Sequence, residues 1–459
     1  MGPVDTGVRA EAQAGTGDPA AGHRPISVGQ QALWTLHRLA PDSAAYNDAG
    51  AAGVTGAVDV PALAGAVEDV TSRHDLLRSR FVDDDGWPGR VVDPAGPRLD
   101  VVDVGPVDDT ALAALVAAAA AEPYDLETGT ARFRLFRRSP HDAVLLSGNH
   151  HIASDAASQF VLWRDLLAAY RARAAGTVPS LPRLTWSWDD QVAAERRALA
   201  GDRRAAWTEH WRATGRDAPA GELATDRPRP RHPAYHGGTV TVPVPPALHD
   251  RVQERAAALG VTPFAVHLAA LQALIHRSGG QRAFLVGCPM SLRRRRETLC
   301  VVGYYVNMVL LRAEIDPSGP CTELVRAAAR ELRAAAGACG LPYPHIVRAL
   351  GRGRDAGPPY RIAITQVDAR IAAAADRAGP VPEREDGCRI GPFAVPRLQG
   401  QYDLGVEVTR AADGSAVAFR YDRELFDEAT VRRLVASFLW ILEVIGQDPG
   451  VPIGSLDLP

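Results

Sequence analysis

The sequence predicts an α+β fold built as two lobes. Helix-like and strand-like segments follow one another irregularly along the 459 residues, without the repeated strand–helix–strand order of a doubly wound sheet. The length suits two large lobes as well as about three domains of roughly 150 residues. Glycine and proline interrupt the apolar periodicity at residues 174–183, which marks a linker. We therefore expect an N-terminal lobe at residues 25–178 and a C-terminal lobe at residues 179–459.

The elements of the first lobe follow from the spacing of its apolar residues. Residues 1–24 are rich in Gly, Ala, Pro and acidic residues without periodicity, which predicts a disordered leader. After the leader, apolar residues recur at helical or alternating spacing. The predicted helices lie at residues 30–39, 60–74, 112–122 and 156–173, and the predicted strands at residues 78–82, 133–136 and 143–147.

The second lobe mixes long apolar helices with buried strands. A proline-rich segment at residues 226–233 precedes them and is predicted to be extended, because proline disfavours a helical residue before it. The predicted strands lie at residues 238–244, 283–288, 301–312, 361–367, 404–408 and 416–421, and the predicted helices at residues 246–259, 262–277, 323–338, 345–350 and 428–446.

The charge balance excludes several kinds of chemistry and partner. All 51 basic Lys and Arg positions are arginine, against 54 Asp and Glu, and the formal charge is −3. Without lysine there can be no pyridoxal phosphate Schiff base and no P-loop lysine. The small net charge creates no field that would recruit nucleic acid, and no apolar run reaches the roughly 18 residues of a membrane span. We expect neither partner.

The five cysteines lack the spacing of a metal site. They are Cys288, Cys300, Cys321, Cys339 and Cys388, an odd number without a Cys-x-x-Cys pair. We expect them to be reduced and buried in a cytoplasmic protein, and we expect no metal site.

The strongest chemical signal is His-His-Ile-Ala-Ser-Asp at residues 150–155. A predicted strand leads into it and a predicted helix follows, and such corners aim side chains into sites. Adjacent side chains on an extended chain point to opposite faces, so one histidine can pack inside while the other faces a cavity. An imidazole suits proton transfer near neutral pH, and Asp155 could anchor an arginine. By spacing alone, such a pair is more often structural or incidental.

Further segments, in the same order, make the chain resemble the condensation domains of nonribosomal peptide synthetases. The resemblance covers residues 25–455 and identifies residues 150–155 with the family's His-His-x-x-x-Asp-Gly motif. The matching segments are Ser-Val-Gly-Gln-Gln-Ala-Leu-Trp at 27–34, Arg-His-Asp-Leu-Leu-Arg-Ser-Arg-Phe at 73–81, Pro-Tyr-Asp-Leu at 123–126, residues 223–230, Thr-Pro-Phe at 262–264, Val-Gly-Tyr-Tyr-Val-Asn at 302–307, Leu-Pro-Tyr-Pro at 341–344 and residues 421–427.

The resemblance implies a fold similar to chloramphenicol acetyltransferase, with two lobes in a V arrangement and a central tunnel. In this family an acceptor amine attacks a donor thioester in the tunnel. By the motif, His151 would be the catalytic histidine, acting either as general base or as the group that orients the nucleophile and stabilises the tetrahedral intermediate. His150 would be structural, and Asp155 would pair with Arg293 of the second lobe.

The chain departs from the family at Ala156, where the motif has glycine. If the backbone there needs a positive φ or a close pass of the pantetheine arm, a Cβ costs about 1 kcal/mol. Alternatively, the methyl group narrows the donor side of the tunnel and selects the donor by size.

Three other positions have a functional and a structural interpretation. Asn307 matches a family asparagine near the tunnel, or it is a strand-end amide that satisfies backbone groups. Tyr304 and Tyr305 alternate on a strand, so at most one lines the tunnel. The arginines at residues 294–296 form a solvated loop, or they bind the pantetheine phosphate or an acidic carrier helix.

We therefore expect a condensation enzyme of nonribosomal peptide biosynthesis, apparently free-standing. It would bind no cofactor of its own, because a carrier protein delivers the donor as a phosphopantetheine thioester. The acceptor would be a second carrier or a free small molecule, and a hydroxyl acceptor would give an ester. Two alternatives stay open: a catalytically silent platform that recruits a partner enzyme to a carrier, and a coenzyme A-dependent acyltransferase of the same fold.

Overall fold

The computed structural model describes residues 22–84, 86–230, 236–352, 357–368, 388–395, 402–411 and 414–459. The predicted leader lies outside the described residues up to position 21. Its last two residues, His23–Arg24, form a short strand instead, so the folded chain begins slightly earlier than expected.

Fourteen strands are found in the described residues. In chain order they are β1 (His23–Arg24), β2 (Asn47–Thr55), β3 (Ser79–Asp84), β4 (Trp87–Val92), β5 (Leu99–Asp103), β6 (Ala131–Ser139), β7 (Asp142–His150), β8 (Gly237–Val244), β9 (Ala283–Ser291), β10 (Val306–Glu314), β11 (Ile362–Asp368), β12 (Arg389–Phe393), β13 (Leu404–Ala411) and β14 (Gly414–Asp422).

Eleven α-helices accompany them in the same described ranges. They are α1 (Val28–Leu39), α2 (Val60–Arg73), α3 (Asp109–Ala120), α4 (Ala156–Ala174), α5 (Trp188–Ala200), α6 (Arg203–Gly215), α7 (Pro246–Ala258), α8 (Pro263–Gly279), α9 (Cys321–Ala338), α10 (Tyr343–Ala349) and α11 (Glu428–Gln447). The predicted α+β class is confirmed.

Besides a three-stranded sheet of order β1-β4-β3, the first lobe contains a five-stranded sheet with helices on both faces. Its strand order is β12-β2-β7-β6-β5. Along β7, Ala143 and Leu145 pack in the core cluster of α2 and α4, whereas Val144 and Leu146 pack in that of α3, because side chains alternate between the faces of a strand. β2 and β7 are antiparallel neighbours in the middle of the sheet. The start of β2 therefore lies beside the end of β7, where the histidine motif begins.

The second lobe is a six-stranded mixed sheet with the order β10-β9-β11-β13-β14-β8. Its core includes most of α8, where twelve consecutive residues from Ala265 are buried, together with apolar residues of α9 and α11. No single helix among the described residues is long and apolar enough to cross a bilayer, although the bent pair α7 and α8 reaches the required length and apolar content together.

A separate apolar cluster joins the two lobes. Trp34 of α1 and Ile152 of the histidine motif pack there with Trp188 of α5, and Val301 and Tyr305 of the second lobe complete it. Because both lobes bury residues in one cluster, the motif is held at their junction.

Several elements differ from the prediction. β2, β4, β5, α5 and α6 were not predicted, and the strand expected at residues 301–312 begins only at Val306. β12 pairs with β2 of the first sheet, although its position in the chain had assigned it to the second lobe. The division at residue 178 stays a prediction. β12 follows that boundary in the chain but adds a strand to the sheet of the first lobe.

The cysteines are less uniformly buried than expected. All five are free; Cys288, Cys321 and Cys339 are buried, whereas Cys300 and Cys388 are half-buried. The prediction that every thiol is buried is therefore wrong for the last two.

Candidate active site

His151 lies just after β7, at the junction of the lobes. Its backbone N–H donates to the Tyr46 carbonyl at 2.7 Å. Its Nδ1 is 2.7 Å from the Ser154 carbonyl oxygen and 2.9 Å from Asp48 Oδ2. The ring of Tyr304, from the second lobe, meets the imidazole edge-on with 5.1 Å between centroids. About a fifth of the side chain stays accessible, at 22% exposure.

The neighbours of Nδ1 fix the tautomer of His151. A carbonyl oxygen and a carboxylate oxygen only accept hydrogen bonds, so neutral His151 carries its proton on Nδ1. Nε2 is then left with a lone pair that can accept a proton. Burial lowers the pKa of His151, but the Asp48 and Asp155 carboxylates outweigh this effect and raise the pKa above its ordinary value. The arrangement is that of a proton acceptor.

His150 has the opposite environment. It is buried, and its Nδ1 accepts a hydrogen bond from the Ile152 N–H at 3.1 Å. The rings of His37, Tyr46 and Tyr124 surround it at centroid distances of 6.0 to 6.3 Å. Burial lowers the pKa of His150 to about 3, helped by the neighbouring histidines. His150 is therefore a neutral packing residue beneath the loop.

Asp155 joins the two lobes. As the N-cap of α4, its Oδ1 accepts from the Ser158 N–H at 2.7 Å. The same oxygen is 2.9 Å from Arg293 Nη2, and Oδ2 accepts from the Tyr305 N–H at 3.0 Å. Only 4% of the Arg293 side chain and 7% of the Asp155 side chain are exposed, so this ion pair is buried. Both carboxylate oxygens and both terminal nitrogens of the guanidinium have hydrogen-bond partners, as a buried pair requires, whereas Arg293 Nε is buried without one.

Ser158 belongs to the same junction, although the sequence did not single it out. Its hydroxyl donates to the Gly303 carbonyl at 2.8 Å and accepts from the Gly303 N–H at 2.9 Å. Arg293 Nη2 also donates to it at 2.7 Å. The first turn of α4 is thereby bound to the segment that ends in Tyr304 and Tyr305.

Those two tyrosines face different surroundings. Tyr305 is fully buried and packs between Trp188 and the Arg293 guanidinium, whereas Tyr304 lies against His151. They precede β10 instead of lying in a strand. Gly29 of α1 lets Tyr304 approach closely, since a Cβ built at Gly29 would lie 2.7 Å from its ring.

Gln30 supports the histidine loop from α1. It is fully buried, and its Nε2 donates to the Ile152 carbonyl at 2.8 Å. Its Oε1 accepts from Ser27 N–H at 3.1 Å and from Trp188 Nε1 at 2.9 Å. This glutamine of the 27–34 segment therefore caps its own helix and holds the loop at once.

Ala156 and Asn307 are placed less directly. Ala156 is the first residue of α4 and is exposed. Among the described residues, Asp217 is the one non-glycine with positive φ, so Ala156 carries no cost of a positive φ. Asn307 is buried; its Nδ2 donates to the Cys339 and Leu341 carbonyls and its Oδ1 accepts from Tyr343 N–H. These bonds match the strand-end interpretation.

The arginines after Arg293 lie at the surface. Arg294 donates to the Ala336 carbonyl at 2.6 Å, and the Arg295 guanidinium lies 5.1 Å from the Trp186 ring centroid. All three side chains of residues 294–296 are exposed. Within the described residues, no group of three or more His, Cys, Asp or Glu is arranged to hold a metal ion.

Asp48 is the site residue that sequence reasoning missed. It lies in β2, opposite Asn149 of β7, and it is buried. The one signal in the sequence was the acidic residue itself, which follows Tyr46 and Asn47 and precedes a run of alanine and glycine. Because β2 itself was not predicted, nothing in the sequence placed this carboxylate beside His151.

Comparison with known proteins identifies the family. The family model described as Condensation domain matches residues 20–459. The chain belongs to the condensation domain family. It is 32% identical over 445 residues to the probable non-canonical nonribosomal peptide synthetase CymA of Salinispora arenicola. The matched region makes up 95% of this chain but only 6% of that relative. The condensation domain thus corresponds to a small part of the curated relative.

Solved structures agree with this assignment. The X-domain in the complex of the X-domain and OxyB from teicoplanin biosynthesis superposes with a TM-score of 0.83 at 25% identity, over 96% of this chain and 99% of that one. The first condensation domain of the CDA synthetase gives 0.77 at 19% identity, over 96% and 99%. The predicted family and the two-lobed fold similar to chloramphenicol acetyltransferase are confirmed. The expectation of a free-standing enzyme stays a prediction.

Proposed function

We propose that this condensation domain joins a carrier-bound acyl or aminoacyl thioester to an amine or hydroxyl acceptor. The observation that supports this most directly is the state of His151: Nδ1 faces two acceptors and Nε2 is left to exchange protons. The buried pair of Asp155 and Arg293 supports it further, because it holds the loop of His151 against the second lobe.

The reaction needs a base that takes a proton from the nucleophile and an acid that gives a proton to the leaving thiolate. His151 serves as both. The acceptor nitrogen or oxygen attacks the thioester carbonyl carbon, a bond forms between them, and its proton passes to Nε2. The tetrahedral intermediate then collapses, the C–S bond breaks, and the leaving thiolate takes the proton from the imidazolium. No metal or redox group takes part in this balance.

The donor is proposed to arrive on the phosphopantetheine arm of a carrier protein. The curated relative named above is described as a probable non-canonical nonribosomal peptide synthetase, and this supports the same kind of donor here. The protein would then need no resident cofactor. A second carrier or a free small molecule would present the acceptor.

The test is product formation from a panel of carrier-bound donors with amine and hydroxyl acceptors, followed by mass spectrometry. We expect His151→Ala to lower product formation by roughly 100-fold or more, the scale of a positioned proton-transfer group. His141→Ala is the matched control, because His141 is exposed in the turn between β6 and β7. Equal turnover by folded His151→Ala and the parent would contradict the catalytic role. A parallel arm with coenzyme A thioesters tests the carrier-independent alternative.

One observation favours a second candidate, a recruiting platform without catalysis. The similar X-domain is known from its complex with OxyB, so a condensation-like domain with an enzyme partner has this same fold. A parent that forms no product with any donor, yet retains a partner enzyme together with a loaded carrier on a sizing column, would favour the platform. Product formation that depends on His151 would rule it out as the sole role.

A further inference from the structure

A buried carboxylate lies beside the catalytic histidine and has no part in the motif. Asp48 projects from the start of β2, where the antiparallel pairing sets Asn47 opposite His150 and Asp48 opposite Asn149. Its Oδ2 is 2.9 Å from His151 Nδ1, and only 10% of its side chain is exposed. A carboxylate removed from water and set at this distance interacts strongly with an imidazole.

The other groups around His151 do not duplicate Asp48. Asp155, at the start of α4, is already paired with Arg293 and bonded to Ser158 and Tyr305. His150, on β7, stays neutral because burial lowers its pKa to about 3. Tyr304, before β10, also stays neutral because burial raises the pKa of its phenol. The charge that bears on Nδ1 is therefore mainly that of Asp48.

We propose that Asp48 is a positioning residue that makes His151 the base of the reaction: together with the Ser154 carbonyl it holds the proton on Nδ1, directs the lone pair of Nε2 to the nucleophile, and stabilises the imidazolium formed when Nε2 takes a proton. This inference rests on the proposed function. The same division of labour between carboxylate and imidazole operates in hydrolases whose histidine is held in one tautomer by a buried aspartate.

The proton can be located without any substrate. Protein labelled with ¹⁵N-histidine is titrated by NMR, and His151→Gln assigns the signal. In the parent we expect His151 above its pKa to be protonated on Nδ1, with a pKa above the ordinary 6.5. Asp48→Asn, which has nearly the same shape, should lower this pKa. Asp142→Asn should leave it unchanged, because Asp142 lies at the far end of β7 in a pair with Arg138.

Two results would overturn the proposal: an Nε2-protonated tautomer in the parent, or the same His151 pKa in Asp48→Asn as in the parent. Should Asp48→Asn fail to fold, the parent tautomer decides alone, and Asp48→Glu, which keeps the carboxylate, should retain a raised pKa. A parent without condensation activity would end the proposed function, yet the titration would still decide what Asp48 does to His151.

The pH dependence of kcat then separates positioning from mere support of the fold. His151 must be deprotonated to act, so activity falls on the acid side of its pKa. We expect the acid limb of Asp48→Asn to move to lower pH, with maximal kcat lower by about 10-fold or more because the Ser154 carbonyl alone then holds the proton on Nδ1. A variant with a lower melting temperature but the parent's acid limb and kcat would show a structural role only.

Discussion

Two carboxylates flank the histidine loop, and they do different work. Asp155 faces Arg293, a guanidinium that stays charged in proteins, and hydrogen bonds to Ser158, the Tyr305 N–H and the Val301 carbonyl lock this pair between the lobes. Asp48 faces His151, an imidazole that can lose its charge. The Asp155–Arg293 pair is therefore fixed in charge, and the Asp48–His151 pair is adjustable. The difference lies in the partner, since both carboxylates are buried to a similar extent.

The contrast explains which pair a sequence can reveal. Asp155 stands in a motif with a fixed spacing to the histidines, and Arg293, which follows the strand β9, is the partner that the resemblance implies for it. Asp48 reaches His151 only because β2 pairs with β7 in one register. A shift of that register by one residue would turn the carboxylate to the other face of the sheet.

The largest expected effect on the free energy of unfolding comes from breaking the fixed pair, Asp155–Arg293. Asp155→Ala leaves Arg293 charged and buried without its partner, and breaking a buried pair in this way costs roughly 3 to 5 kcal/mol. Asp48→Ala should cost clearly less, because His151 can deprotonate. Urea denaturation at pH 7 of both variants measures the difference.

A double variant sharpens this first prediction. Replacing Asp155 and Arg293 together by leucine removes both charges, so it should be more stable than Asp155→Ala. Equal free energies of unfolding for Asp155→Ala and Asp48→Ala would contradict the distinction between a fixed and an adjustable pair.

The next prediction uses pH to tell the two pairs apart. The pKa of His151 is raised in the folded protein, so its interaction with Asp48 stabilises the fold fully below pH 6.5 and is lost as pH rises through the folded pKa. The stability difference between the parent and Asp48→Asn should therefore shrink between pH 6 and pH 9. Each unit by which Asp48 raises the pKa corresponds to about 1.4 kcal/mol.

The fixed pair, Asp155–Arg293, supplies the control for that pH series. Between the same pH values the stability difference between the parent and Asp155→Ala should stay nearly flat, because Asp155 raises the pKa of His151 less than Asp48 does. A difference for Asp48→Asn that is equally flat would show that Asp48 does not interact with the charged imidazole.

Much of the fold followed from apolar periodicity, because α2, α4, α8, α9 and α11 each bury a continuous apolar face or stripe. β2 escaped because its sequence, Asn-Asp-Ala-Gly-Ala-Ala-Gly-Val-Thr, has low strand propensity. Tertiary packing requires a glycine at position 50, because a Cβ there would lie 2.6 Å from Trp163 Nε1. A central strand was thus made from residues that suit close approach of a helix.

Three other elements, α5, α6 and β12, escaped prediction for related reasons. α5 and α6 follow the lobe boundary, carry many charged residues and bury few side chains, so they lacked a strong apolar stripe. β12 joins the first sheet through pairs more than 300 positions apart, such as Arg389 with Thr55. Pairing over that distance leaves no local pattern in the sequence.

The residues of the candidate site were also predicted only in part from the sequence. The motif and the resemblance pointed to His150, His151, Asp155 and Arg293, and the structure brings all four side chains into one region. Ser158 lies outside the matching segments, whereas the supporting bonds of Gln30 could have been suspected from the 27–34 segment that contains it. Their partners could not, because Gln30 bonds a backbone carbonyl of the motif and Ser158 bonds the backbone of Gly303.

The smallest expected effect is at Ala156, which follows Asp155 and begins α4. Its φ is not positive and the residue is exposed, so glycine brings no relief of strain there. Ala156→Gly should lower stability by roughly 0.4 to 1 kcal/mol through the entropy of the unfolded chain and leave turnover of the native donor within about two-fold. The remaining hypothesis is steric: if the methyl group narrows the donor side, the glycine variant should accept bulkier thioesters. Competition between a small and a large carrier-bound donor measures this, and an unchanged product ratio between parent and variant would refute the steric gate while leaving both carboxylate pairs intact.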